Sequence, residues 1–72
     1  MAHLTPAEYD GLERAVIDGH RIALVRHGRE VVVVPIRLFL RDGREVIEAR
    51  HPTTGFLIVE TIEELDSIEV VP

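Results

Sequence analysis

The side chains of this chain that could do chemistry are four histidines, a single serine, and a spread of carboxylates and arginines. A serine nucleophile needs a base held within hydrogen-bond reach. Ser67 lies near the C-terminus with no His or Asp spaced to activate it. Metal-binding histidines favour i, i+2 or i, i+4 spacing on a strand or helix. His3, His20, His27 and His51 have neither, and fall in the tail, loops and turns. The pair Glu63-Glu64 could hold a cation or move a proton, but such a run is the usual composition of a solvated turn. No catalytic residue, metal site or cofactor is therefore expected. What remains is recognition. Arg29, Arg37 and Arg44 are spaced along the middle of the chain and could form a patch for an anionic ligand. The competing reading pairs them across strands with Glu30, Glu45 or Glu48, as opposite charges commonly do in sheets.

Strands and turns must position these groups. Thr5-Pro6-Ala7-Glu8 reads as a helix start: Thr5 caps, Pro6 suits the first helical position, and Glu8 completes a capping box. The helix runs to about Asp18, with Gly19 ending it. Tyr9, Leu12, Ala15 and Val16 share one face of it. Everything after Gly19 reads as strand. Arg21–Arg26 comes first, followed by a His27-Gly28 turn. Glu30–Val34 is next, ended or bent by Pro35, which cannot donate to a ladder. Arg37–Leu40 is a short third run before the Asp42-Gly43 hairpin turn. Glu45–Arg50, Phe56–Glu60 and Ser67–Val71 complete the set, the last after a turn rich in acids. Phe39 and Phe56 are expected in the core.

The expected fold is mainly β: a small five- to six-stranded SH3/Sm-like barrel preceded by one N-terminal α-helix. It is one domain over residues 1–72, with the helix at about 6–18 and the barrel at about 20–71. Val31–Val34 do not alternate with polar residues, so both faces of that strand need cover. The helix, or a second subunit, is expected to supply it, since an uncovered apolar edge invites self-association.

Composition narrows the function classes. A domain of 72 residues buries only about 60% of its unfolded surface, so its stability margin is thin. The absence of cysteine excludes disulfides and thiolate metal sites. The longest apolar run, Val31–Ile36, is far short of the roughly 20 residues of a membrane span, and Met1–Pro6 lacks the regions of a signal peptide. A soluble, cytoplasmic protein is expected. The formal net charge of −5 opposes non-specific nucleic-acid binding, which draws its affinity from neutralised phosphates. All basic residues are arginine, which fits codon bias in a GC-rich genome.

The segment Val33–His51, VVPIRLFLRDGREVIEARH, resembles the central part of the WYL domain, a bacterial module with an Sm-like barrel. Pro35, Leu38, Gly43 and Ala49 occupy the family's proline, leucine, turn-glycine and alanine positions. Leu12–Val25 resembles its short helix and first strand, and Ile62–Val70 its closing segment. The resemblance covers roughly Leu12–Val70 and implies an Sm-like barrel with a role in transcription regulation. The family senses ligands or nucleic acid with aromatic and basic groups. Here Glu45-Val46-Ile47 replaces the Trp-Tyr-Leu trio, Glu64 replaces a basic residue, and the usual strand-starting arginine falls at about Ile58. The scaffold positions are kept while the stacking and gripping positions are not. Tyr9–Ala15, YDGLERA, resembles the start of the Rof-like inhibitors of the termination factor Rho, small acidic proteins that also place a helix before an Sm-like barrel.

These readings converge on a non-enzymatic binding module, with protein–protein contact or self-association as its business. Its candidate contact residues are Arg29, Arg37, Arg44 and Glu45. The alternative is an acidic, Rof-like inhibitor of an RNA-binding protein such as Rho.

Overall fold

The computed structural model describes residues 3–71; the ends of the expected 1–72 domain, residues 1, 2 and 72, lie outside it. Helix α1 spans Pro6–Asp18. Its start is fixed by the capping box: Glu8 N–H donates to Thr5 Oγ1 at 3.2 Å and Thr5 N–H donates to Glu8 Oε1 at 3.1 Å. Its end is fixed by Gly19, left-handed at φ 73°, whose N–H closes onto the Ala15 carbonyl.

Five strands follow: β1 Ile22–Arg26, β2 Arg29–Arg41, β3 Arg44–Arg50, β4 Leu57–Thr61 and β5 Ser67–Val70, with a 3-10 turn at Ile62–Glu64 between the last two. All pair antiparallel in the order β4-β3-β2-β1-β5. The fold is thus mainly β, with one N-terminal helix. The sheet curls, but β4 and β5 are both edges with no ladder between them. The closed barrel expected from the sequence is an open sheet. The reason is the short segment from Ile62 to Asp66, which crosses the gap as a 3-10 turn rather than as a strand.

Both tight hairpins have left-handed backbone at both turn residues: His27 (φ 51°) with Gly28 (φ 75°), and Asp42 (φ 52°) with Gly43 (φ 77°). This is the turn whose twist matches that of the flanking strands.

The second and third strand runs expected on either side of Pro35 are one 13-residue strand, β2. Two features let it pass through the proline. A register shift lies between Pro35 and Arg37, where Ile36 bulges out. The ladder's alternation also turns the Pro35 nitrogen away from β3, to the side where β1 has already ended opposite Val33. The missing donor therefore costs no ladder bond.

The concave face carries the core: Ile22, Leu24, Val33, Ile47, Ala49 and Ile68 from the strands, Leu12 and Ala15 from α1, and Ile62 and Leu65 from the closing segment. The helix therefore completes the core rather than coating Val31–Val34 from outside. Val33 is fully buried, Val32 and Val34 are half-buried, and Val31 is at the edge of exposure.

Candidate interaction surfaces

The four contact residues inferred from the sequence fall in three separate places on the sheet, Arg44 and Glu45 sharing one. Arg29 stands on the concave face at the β1–β2 turn, opposite Arg26 in the ladder. Together with His27, Glu30 and Glu60 they rim a cleft of about 530 Å³ floored by Leu24, Val31, Ile58 and Leu65. Arg26 is held across this cleft by Glu60 on β4, Nη1 to Oε2 at 2.9 Å. Asp66 fastens the turn beside it: its Oδ2 accepts from Gly28 N–H at 2.9 Å, and its own N–H donates to the Val25 carbonyl at 2.7 Å.

Arg37 is on the convex face. Its Nε donates to Glu48 Oε1, its cross-strand partner. Its guanidinium lies 4.3 Å from the centre of the Phe39 ring, while that of Arg41 lies at 5.4 Å. Residues two apart on a strand share a face, so the two arginines flank one aromatic ring between them. Phe39 is therefore half-buried under guanidinium groups rather than in the core.

Arg44 and Glu45 lie at the far hairpin, in a cavity of about 180 Å³ shared with His3, Leu4, Ile62 and Glu63. Glu45 Oε2 is buried without a hydrogen-bond partner. The phenol of Tyr9 on α1 is held above its ordinary pKa by burial first, then by the charges of Glu45 and Glu13. His51 organises the β3–β4 loop: its Nδ1 accepts from the N–H groups of Thr53 and Thr54, each at 3.2 Å.

The surface that sequence reasoning missed is on β4. Phe56 is 73% exposed, Leu57 60% and Val59 49%, so the expectation that Phe56 is core is wrong. The reason is its place in the chain. Phe56 pairs with His51 beyond the last rung of the β3–β4 ladder, where no element covers it. The bond from His51 N–H to the Phe56 carbonyl also sets the phase of that ladder. By alternation, Ile58 and Glu60 bond to β3, while the N–H and C=O groups of Leu57, Val59 and Thr61 point away from the sheet. Among the described residues no backbone hydrogen bond from a turn or loop reaches Leu57 or Val59, while the Thr61 carbonyl caps the 3-10 turn that follows. The side chains of these three share the convex face with Glu48 and Val46. The only sequence signal for this surface was the apolar run Phe56–Val59, which a buried strand would display equally.

The other free edge is different. β5 lies against α1, with Leu4, Glu8, Gly11 and Leu12 lining a groove beside Ile68 and Val70. No helix among the described residues is long and apolar enough to cross a membrane. Comparison with known proteins finds no match to this chain among family models, curated proteins or solved structures.

Proposed function

We propose that this chain is a non-enzymatic interaction module whose working surface is the free edge of β4. It meets a protein partner, or a further copy of itself, in transcription-related regulation. The observation that carries this reading is the coincidence of unpaired backbone groups with exposed Leu57 and Val59 on one edge strand. Natural sheets blunt such edges with charged side chains, proline, bulges or a covering element; β4, LIVET, has no lysine or proline and its ladder with β3 has no bulge. Its one charge, Glu60, points to the concave side and is already occupied by Arg26. The WYL-like resemblance, with its Sm-like barrel as the parent form, supports the regulatory half of the reading. An N-terminal helix before five antiparallel strands is compatible with that parent.

The test compares capture of partners by the wild-type chain and by Val59→Lys. The reading expects a partner retained by the first and lost by the second, with circular dichroism unchanged. Equal recovery on both would overturn it.

A second reading has its own observation. Glu63 and Glu64 are exposed on the 3-10 turn with no ion-pair partner among the described residues, on a chain of net charge −5. This favours an acidic inhibitor of an RNA-binding protein such as Rho. A pull-down with purified Rho at low salt checks it, and failure to bind there removes it.

A further inference from the structure

We infer that the occupant of the β4 edge is a second copy of this chain, paired antiparallel about a two-fold axis at Val59; this rests on the reading of that edge as the working surface. The argument is one of register. A self-paired antiparallel strand must place the same residue opposite itself, and the phase of the ladder decides which residues can serve. Val59 is the central residue of β4, and its N–H and C=O point outward. Set opposite its own copy, it forms a hydrogen-bonded pair that exchanges both bonds, with Leu57 opposite the copy's Thr61 on either side. Every outward backbone group of β4 is then satisfied.

The side chains agree with this register. On the convex face Val59 meets Val59, and Leu57 meets threonine, so that face has no charge opposite a charge. On the concave face Ile58 stands opposite Glu60, which keeps its ion pair with Arg26 at the cleft mouth. A shift of one residue would set outward-pointing backbone groups of one strand against inward-pointing ones of the other and turn one strand's convex face against the other's concave face. The Val59 axis is therefore the register that pairs all three outward residues of one strand with outward residues of the other. The β5 edge lacks these properties, because α1 lies beside it and its side-chain row includes Glu69. The isologous β4 contact is closed, so it yields a dimer and no filament.

The contact is small. A few apolar side chains and one strand ladder fall below the roughly 1,200 Å² of a stable complex, so the dimer is dissociable and concentration-dependent.

Sedimentation equilibrium across micromolar to millimolar protein tests it. The wild type is expected to show a reversible monomer–dimer equilibrium. Val59→Pro removes only an outward N–H and leaves the β3 ladder intact; Val59→Lys places a charge on the axis and does not depend on tolerance of proline. Each should weaken dimerisation at least about tenfold, while Ile17→Lys, at the most exposed apolar side chain, should not. A register check uses the absence of native cysteine. Val59→Cys brings two thiols together across the axis at a Cα separation of about 5.5 Å and should oxidise to a covalent dimer, whereas Leu57→Cys should not. A wild type that stays monomeric at millimolar concentration overturns the proposal. So does a dimer that survives Val59→Lys, or one that Ile17→Lys removes equally. A monomeric wild type that still loses a captured partner on Val59→Lys overturns self-pairing while sparing the edge as an interaction surface.

Discussion

The charge of Glu45 on β3 acts on Tyr9 of α1, with a spectroscopic consequence. The chain has one tyrosine, so its phenolate absorbance reports a single site. Burial raises the Tyr9 pKa above 10.0, and the negative charges of Glu45 and Glu13 raise it further. The sign of the linkage follows. Below pH 10 the phenol is protonated in both folded and unfolded chains and the shift has no effect on stability. As pH rises past 10, the unfolded chain releases its proton first, so stability falls until the folded pKa is passed. An alkaline titration followed at the tyrosinate band should give a midpoint above 10.0. Glu45→Gln should move it down towards that value without reaching it, because burial remains. A midpoint unmoved by that substitution would show that the charge does not reach the phenol. The same carboxylate has a buried oxygen with no partner. Uncompensated burial of this kind costs about 1–3 kcal/mol; Glu45→Gln keeps a polar atom there and so relieves only the part of that cost that belongs to the charge. Among the described residues inferred to make contacts, Glu45 is the one with a buried polar atom lacking a partner, whereas Arg37 donates its Nε to Glu48.

At the level of elements, glycine shows how the same substitution changes sign with its place. Gly43 completes the β2–β3 turn at φ 77°, and an added Cβ there meets nothing within 4 Å. The cost of Gly43→Ala is therefore backbone conformation alone, about 1 kcal/mol, and Gly43→Asn should cost less because Asn tolerates that region. Gly11 sits inside α1, also with nothing within 4 Å of an added Cβ. Gly11→Ala should stabilise by up to about 1 kcal/mol through helix propensity. Denaturant midpoints at constant slope measure both, and two changes of the same sign would refute the account. These elements were readable in the sequence because their determinants are local: Thr5 with Glu8, His27-Gly28 and Asp42-Gly43 each act within a few residues. The continuity of β2 was not readable. Pro35 carries the same local signal whether or not a neighbouring strand needs its N–H, and only the place where β1 ends decides that. The exposed row on β4 was hidden for a similar reason. Phe56, Leu57 and Val59 have core composition, and their exposure comes from β4 being last in the sheet order.

For the molecule as a whole, the question is what keeps an open sheet curled. Two ties span the gap between β1 and β4. One is the Arg26–Glu60 ion pair at the cleft mouth, with side chains 48% and 21% exposed. The other is the closing segment, which drives Ile62 and Leu65 into the core at 3% and 1% exposure. An ion pair this exposed contributes at most about 1 kcal/mol, and salt screens it. A buried leucine cut to alanine loses its transfer free energy and leaves a cavity, about 2–5 kcal/mol together. At roughly 0.05–0.15 kcal/mol per residue, a domain of this size has only about 4–11 kcal/mol in all. Leu65 therefore holds a large share of the total and the ion pair a small one. Glu60→Gln should lower stability by about 1 kcal/mol or less, with the difference shrinking in high salt. Leu65→Ala should remove about 2–5 kcal/mol regardless of salt, bringing the chain near its unfolding threshold at moderate temperature. Urea denaturation of both variants at low and high salt measures this. If Glu60→Gln were the more damaging change, the curl would be electrostatic, and the β4 edge would swing with ionic strength. If Leu65→Ala is the more damaging, the edge is held from beneath by the core, and β4 presents its outward groups in one fixed geometry.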